Sequence, residues 1–298
     1  MRGRDVHARV SARWIGVRRR VSQAILCSFV PRLAIATIAD KLVGELLYLN
    51  ARPRGGTEVC RLPIHRAHLA PFEVSDELDA IIACSDLQGI VPRQRGGEAE
   101  LLGVALAEHL AKLAEDRVLP PAARTGVILA GDLYSVPGAN KRGGFGDVAD
   151  VWAAFAAQFA WVAGVAGNHD DIANIAAIGA PNLHLLDGAT AELDGLRIGG
   201  VGGIIGNPGK KMRRSPEDFL ALIDRVVDDE IDVLVLHEGP NGEFEDQDGN
   251  TDVRATVEAG SVGLTVCGHS HWEQPLATHE SGQILNVDAR AVVLLIER

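Results

Sequence analysis

Polar side chains that can bind metal ions follow five apolar segments of the chain, each at the point where the segment ends. They are Asp86 and Gln88 in SDLQG, Asp132 in AGDLY, Asn168 and His169 in AGNHDD, His237 in VLHEGP, and His269 and His271 in CGHSH. One aspartate or histidine in such a position is more often a turn former or a structural residue. Five in succession predict a common site, because the carboxyl ends of strands in one sheet meet at one crevice.

The residue types suit two divalent cations. Carboxylate and amide oxygens prefer hard ions and imidazoles prefer borderline ions, while the absence of thiolates from these motifs argues against a structural zinc site. Glycine precedes Asp132, Asn168 and His269, which allows the backbone to turn tightly before each side chain. In HSH, His269 and His271 project to the same side of an extended segment and can reach neighbouring ions.

Short strands and helices alternate after about residue 75, which is typical of a layered α/β protein. The predicted strands cover residues 80–84, 126–130, 161–166, 182–186, 196–201, 233–236, 264–267, 284–287 and 291–296. The predicted helices cover residues 98–117, 147–158, 216–229 and 252–259, with Thr251 as the N-cap of the last. Because the C-terminal third consists mostly of strands, we do not expect a purely parallel sheet.

The charges of the chain are unevenly distributed. Residues 1–70 contain 13 Lys and Arg against 4 Asp and Glu, whereas the remainder contains 16 against 36. This asymmetry predicts a basic N-terminal extension over residues 1–75 joined to an acidic domain over residues 76–298. We expect the extension to be poorly ordered or to pack a helix on the domain. An amphipathic helix on a membrane surface is the alternative.

Other features of the composition exclude some classes of protein. Pro31, Arg32, Asp40 and Lys41 interrupt the apolar stretches of the extension, so no transmembrane segment is expected, and Arg32 disfavours a signal peptide. Four scattered cysteines without a CxxC pair predict reduced thiols in a cytoplasmic protein. An acidic domain is also a poor match for duplex DNA.

Taken in order, the five motifs resemble those of the calcineurin-like metallophosphoesterases, which have Asp-x-His, Gly-Asp, Gly-Asn-His-Asp, a histidine ending an apolar strand, and Gly-His-x-His. The resemblance runs from about residue 76 to the C terminus. It implies a four-layer α/β/β/α sandwich of the metallophosphoesterase type with a dinuclear metal site at the strand ends. By the same resemblance, Asp86 and His271 bind the first ion, Asp132 bridges both ions, and Asn168, His237 and His269 bind the second.

Two positions depart from the family's pattern. Gln88 replaces the usual histidine on the first ion, and its weaker, harder amide oxygen favours Mn²⁺ or Mg²⁺ over Zn²⁺; alternatively, Gln88 holds a metal-bound water. Ser135 stands where protein Ser/Thr phosphatases of this superfamily carry a second aspartate, which argues against that class. We expect two divalent ions, with Mn²⁺ as the first choice and Fe, Mg, Zn or Ni as alternatives.

The resemblance implies a hydrolase that cleaves a small phosphomonoester or phosphodiester through a hydroxide bridging the two ions. We expect His169 to protonate the leaving group and Asp170 to orient its ring. Two basic, glycine-rich loops offer contacts for the substrate phosphate, although solvated surface charge is the simpler interpretation. Their basic residues are Lys141, Arg142, Lys210, Lys211, Arg213 and Arg214. The alternatives are a non-catalytic scaffold on the same fold, which would not require His169, and a nuclease that uses the basic segments to bind nucleic acid.

Overall fold

The computed structural model describes residues 33–93 and 99–297. The arginine-rich residues before residue 33, with the membrane-surface helix considered for them, lie outside these ranges. Within the described ranges, no helix is both long and apolar enough to cross a membrane.

The strands of the described residues are numbered in chain order. The first ten are β1 (Ile35–Ile38), β2 (Gly44–Ala51), β3 (Thr57–Leu69), β4 (Ala80–Ser85), β5 (Ile90–Val91), β6 (Glu100–Leu101), β7 (Thr125–Leu129), β8 (Gly146–Asp147), β9 (Trp161–Gly164) and β10 (Asp170–Asp171). The others are β11 (Leu183–Leu185), β12 (Ala189–Leu193), β13 (Leu196–Val201), β14 (Ile204–Ile205), β15 (Arg213–Arg214), β16 (Val233–Glu238), β17 (Leu264–Gly268), β18 (Leu276–His279), β19 (Gly282–Asn286) and β20 (Arg290–Leu295).

Within the described residues, four α-helices lie where the sequence predicts them; the first three are shorter than predicted, and the fourth extends one residue further at each end. They are α1 (Leu102–Glu115), α2 (Ala149–Gln158), α3 (Pro216–Val227) and α4 (Thr251–Gly260). Ser215 caps α3 by accepting from the backbone N–H of Asp218, and proline occupies the first turn. The predicted N-cap of α4 is wrong by one residue. Asn250 caps this helix, because its side-chain oxygen accepts from the second and third helical N–H groups, and Thr251 is the first helical residue.

Ten of the described strands form one large mixed sheet in the order β11-β9-β7-β4-β20-β3-β2-β5-β6, with β1 paired to β3. Strands β4, β7, β9 and β11 run parallel, and β20 is antiparallel to β4. Every residue of β4 and β7 is buried. Their continuous apolar sequences are typical of parallel strands that are covered on both faces.

Six of the described strands form a smaller sheet in the order β12-β13-β16-β17-β19-β18. Its four inner strands are parallel, and the two edge strands are antiparallel to their neighbours. Both sheets are therefore mixed, and the prediction of a mixed α/β class is confirmed.

Alternate residues of the central strands belong to different hydrophobic clusters, because successive side chains point to opposite faces of a strand. Ile82 and Cys84 of β4 pack with residues of α1 and α2, whereas Ile81 and Ala83 pack with residues of β16 and β17. A third cluster joins the smaller sheet to α3 and α4. The four-layer order that the resemblance implies stays a prediction.

Residues 35–69 contain three strands, whereas the sequence predicts a helical or poorly ordered extension over residues 1–75. The described residues, 33–93 and 99–297, belong to one compact unit, in which β1, β2 and β3 are part of the large sheet. Strand β3 lies between β2 and β20, with Leu62 and Ile64 fully buried. The basic charge of this region obscured its strands, because Arg61 and Arg66 alternate with apolar residues that face the core.

We expect Ile64→Ala to lower the free energy of unfolding by about 2–5 kcal/mol, because it removes a fully buried side chain from the large sheet. Val59, in the same strand but 69 % exposed, is the matched control, and Val59→Ala should cost less than about 1 kcal/mol. Urea denaturation of both variants measures the difference. Equal effects would contradict the placement of β3 in the core.

Candidate metal centre

Residues from both sheets meet in one crevice. Asp86, Asp132 and Asn168 follow β4, β7 and β9 of the large sheet, whereas His237 lies in β16 and His269 follows β17 of the smaller sheet. The sequence pattern predicted the convergence but assigned it to a single sheet. Two sheets contribute because the apolar strands of both are packed against each other in one hydrophobic cluster.

Two cross-sheet hydrogen bonds hold the crevice together. The backbone N–H of His269 donates to Asp86 Oδ2 at 2.9 Å, and the Nδ1–H of His237 donates to the Ala130 carbonyl oxygen at 2.8 Å. Within the large sheet, the backbone N–H of Asp86 donates to the Gly131 carbonyl at 2.9 Å. The ends of β4, β7, β16 and β17 are therefore tied to one another.

The backbone adopts sparsely populated conformations at three of the strand ends. Asp86 and Asp132 both have φ of 53°, and His269 has φ of 69°. Left-handed conformations of residues with a Cβ cost about 1–3 kcal/mol each and occur often at functional sites. The glycine at 167 is required for a different reason, because a Cβ there would lie 2.0 Å from Asp132 Oδ1.

Asp132 occupies the middle of the crevice and is 3 % exposed. Its Oδ1 accepts from the backbone N–H of His169 at 2.9 Å and lies 3.3 Å from His237 Nε2. Its Oδ2 accepts from the amide nitrogen of Gln88 at 2.8 Å. The two oxygens of one carboxylate thus face opposite halves of the site.

Ligand atoms of Asp132, His237 and His269 all lie within 4.8 Å of one another. Because Nδ1 of His237 donates to Ala130, its Nε2 presents a lone pair toward an Asp132 oxygen, and this buried nitrogen has no hydrogen-bond partner. Two facing acceptors require a positive charge between them. Two ligands bound roughly 2.1 Å from a divalent ion at right angles are about 3 Å apart, which fits the observed separation.

A proton on His237 Nε2 would also supply positive charge between these two acceptors. Burial lowers the pKa of His237, but the adjacent charge of Asp132 more than offsets this effect and raises the pKa to about 10. Burial also favours the neutral form of Asp132, but the charge of His237 outweighs this effect and holds the pKa of Asp132 below its usual value. The buried side-chain oxygen of Asn168 also lacks a partner. The donor set therefore fits a divalent cation on the His237 side of Asp132.

The other half of the crevice is less closely assembled. His271 has a 60 % exposed side chain, and its Nδ1 lies 3.0 Å from Asp288 Oδ1. Burial and the charge of Asp288 raise the pKa of Asp86 well above its usual value. Asp288 thus links Asp86 to His271. It was missed in the sequence, although it follows the predicted strand 284–287 and so satisfies the same strand-end pattern as the others.

Asp170 does not contact the His169 ring as predicted. Its buried carboxylate accepts from the backbone N–H groups of Leu133, Tyr134 and Gly167 at 2.7, 3.2 and 2.8 Å. Burial, with a further contribution from the charge of Asp132, raises the pKa of Asp170 to about 6. Its role in the structure is to join the loop after β7 to the loop after β9.

The Gly144 carbonyl takes the place predicted for Asp170. It lies 2.6 Å from His169 Nδ1, so the ring Nδ1–H donates to it and Nε2 remains directed toward Asp132 Oδ2, 3.9 Å away. The backbone N–H of Gly146 also donates to the His169 carbonyl at 3.2 Å. Loop 143–146 therefore contacts both the ring and the backbone of His169. A backbone carbonyl leaves no signal in the sequence.

The six basic residues of the two loops differ in their contacts. Arg142 donates to the Ala51 carbonyl at 3.0 Å, and Arg214 donates to Asp187 and to the Gly202 carbonyl. These two guanidinium groups are engaged in holding loops. Lys211 is exposed and lies 4.3 Å from the centre of the Phe145 ring and 3.6 Å from Asp171. Lys141 and Lys210 are exposed and Arg213 is half-buried.

The family model for calcineurin-like phosphoesterases matches residues 80–273, more than half of the chain. A search of curated proteins by sequence finds no match.

Among solved structures, TT1561 of Thermus thermophilus is similar with a TM-score of 0.50 and 17 % identity, over 70 % of this chain and 88 % of that one. At this identity the likeness supports the fold alone. The protein of unknown function AQ665 from Aquifex aeolicus has a TM-score of 0.34 and 16 % identity, over 72 % and 95 % of the two chains.

We expect Asp170→Asn to lower the free energy of unfolding by about 1–3 kcal/mol, because the new amide nitrogen faces a backbone donor in a fully buried position. The adjacent Asp171→Asn is the matched control, since that side chain is 37 % exposed, and it should change stability by less than about 0.5 kcal/mol. Denaturant titration of both variants provides the measurement. A stable Asp170→Asn variant would rule out the joining role.

Proposed function

Because this chain belongs to the calcineurin-like phosphoesterase family, we propose that it hydrolyses a small phosphoester with two divalent cations bound in the crevice. Asp132 contributes to both ions, Asn168, His237 and His269 to one, and Asp86 and His271 to the other. Mn²⁺ is the proposed metal, with Fe, Mg, Zn and Ni as alternatives, because oxygen donors and imidazoles are mixed in the site.

The observation that carries this proposal is the pair of facing acceptors, Asp132 Oδ1 and His237 Nε2, 3.3 Å apart. Divalent ions bound there would withdraw charge from phosphate oxygens and lower the pKa of a water molecule. The side-chain ligands would set the positions of these ions. Cross-sheet hydrogen bonds fix the strand ends, so the ligands need little reorganisation when substrate enters.

His169 is the proposed proton donor to the leaving group. Its Nδ1–H is held by the Gly144 carbonyl, which fixes the ring plane and directs Nε2 toward the Asp132 side of the crevice. A proton on Nε2 is then available to a leaving oxygen. His169 is also partly accessible, with 25 % of its side chain exposed, so a substrate can reach it. A non-catalytic scaffold would have no use for this arrangement.

Lys211 and Phe145 are the proposed contacts for the leaving group. Phe145 lies between Gly144 and Gly146, which both bond to His169, and Lys211 lies over its ring. A leaving group protonated by His169 would therefore depart past an exposed ammonium group. This placement favours substrates whose leaving group carries a negative charge.

We expect His169→Ala to retain bound Mn²⁺ and to lower kcat by about 10²- to 10⁴-fold, because the leaving group loses its proton donor. Hydrolysis of p-nitrophenyl phosphate and bis-p-nitrophenyl phosphate with added Mn²⁺ provides the assay. Full activity in the variant would remove His169 from the mechanism. His184→Ala, in β11 of the large sheet, is the control and should leave turnover unchanged.

We expect Lys211→Met to raise KM about fivefold for 4-carboxyphenyl phosphate and to leave KM for phenyl phosphate unchanged. An exposed ion pair contributes up to about 1 kcal/mol, which corresponds to that factor. Lys141→Met, a lysine of the other basic loop, is the control for a general loss of positive charge. A parallel change for both substrates would show that Lys211 does not contact the leaving group.

A further inference from the structure

We propose that Asp288 is a ligand of the first metal ion and supplies the donor that Gln88 does not. This inference rests on the proposed function, because it concerns one of the two ions. Asp288 lies beyond residues 80–273, which the family model matches, and no motif of the sequence includes it.

The backbone places Asp288 beside the strand end that carries Asp86. Ser85, the residue before Asp86, pairs with Asp288 in a parallel β-bridge, and the N–H of Ala289 donates to the Ser85 carbonyl at 3.2 Å. The N–H of Asp288 is itself fixed by the side-chain oxygen of Asn286, at 3.2 Å. The position of Asp288 is therefore set by the same sheet edge as that of Asp86.

The Asp288 carboxylate contacts one of the proposed ligands, His271. Its Oδ1 lies 3.0 Å from His271 Nδ1, so the two atoms are close enough to share either a proton or one metal ion. The side chain is 13 % exposed, so water solvates this group only in part.

Asp86 and Asp288 are carboxylates on paired strand ends, and positive charge nearby favours their ionised forms. Among the described residues, no lysine or arginine forms an ion pair with the Asp288 carboxylate. Arg290, two residues further on, does not reach the Asp288 carboxylate: its Nε donates to the Asp288 backbone carbonyl, and its Nη2 donates to the Trp272 carbonyl and lies 3.4 Å from His271 Nε2. A divalent cation between Asp86 and Asp288 would supply this charge.

Gln88 leaves the first ion short of a donor. Its amide nitrogen donates to Asp132 Oδ2, and a group in this orientation stabilises the carboxylate instead of binding a cation. The first ion would then have Asp86, Asp132 and His271 as its other side-chain ligands. Asp288 adds a fourth, and the resulting donor set, rich in carboxylate oxygen, favours Mn²⁺ or Mg²⁺ over Zn²⁺.

The test counts Mn²⁺ ions in the full chain. Wild type, Asp288→Asn, Gln88→His and the double variant are stripped of metal with a chelator and titrated with Mn²⁺ by isothermal calorimetry. Bound manganese is also measured by elemental analysis. Asp288→Asn is chosen because its amide oxygen still accepts from His271 Nδ1–H, so a residue that only positions His271 would tolerate it.

We expect wild type to bind two ions and Asp288→Asn to bind one of them more than about tenfold less tightly. Gln88→His should change little by itself but restore the weakened ion in the Asp288→Asn background. Asp248→Asn is the control for the loss of one negative charge at a residue that the site does not use, and the backbone carbonyl of Asp248 accepts from the Trp272 indole. It should leave both affinities unchanged.

Three results would overturn the inference. They are two sites of unchanged Mn²⁺ affinity in Asp288→Asn, an equal gain in Mn²⁺ affinity from Gln88→His in both backgrounds, and a wild type that binds a single Mn²⁺ ion. Phosphoester turnover is measured on the same samples. Active wild type with an unaffected Asp288→Asn variant refutes the Asp288 ligand alone, whereas two bound ions without turnover of any ester refute the proposed function alone.

Discussion

The site depends on one electrostatic constraint, which is that buried acceptors face each other without a donor between them. Asp132 Oδ1 and His237 Nε2 are 3.3 Å apart, and both side chains are almost completely shielded from water. The imidazole cannot turn away, because its Nδ1–H is held by the Ala130 carbonyl. Desolvated lone pairs in this arrangement are costly unless a cation or a proton joins them. In a phosphoesterase that binds a divalent metal, relief of this unfavourable interaction contributes to the affinity for the ion.

The surrounding backbone is built to keep the acceptors in place. Asp86, Asp132 and His269 adopt left-handed conformations, which persist only where tertiary contacts enforce them. Asp170 provides part of that enforcement by accepting three backbone N–H groups from the loops on either side of Asp132. The hydrogen bond from the His269 N–H to Asp86 then joins the two sheets. The buried carboxylate of Asp170, which contacts no proposed substrate, thus helps to offset the backbone strain at these ligands.

Much of the fold and site is readable in the sequence, and the failures have physical causes. Continuous apolar runs identified β4, β7, β9 and β16, because strands buried on both faces lack alternation. The same pattern failed for β1, β2 and β3, because the net positive charge of residues 1–70, which includes Arg61 and Arg66 of β3, is typical of a solvated tail. Side chains at strand ends predicted the crevice, and Asp288 had the same signal. The contacts of His169 and Asp170 were not predictable, because both involve backbone groups that every residue possesses.

The two halves of the crevice differ in assembly. On the His237 side, donors already lie at ligand separation, whereas on the Asp86 side, Gln88 donates to Asp132 and His271 is turned toward Asp288. The most direct measurement is anomalous diffraction from crystals of the full chain grown with Mn²⁺. The account predicts one peak between Asp132, His237 and His269, and a second between Asp86, Asp132 and Asp288. A map with no anomalous peak beside Asp132 would contradict it.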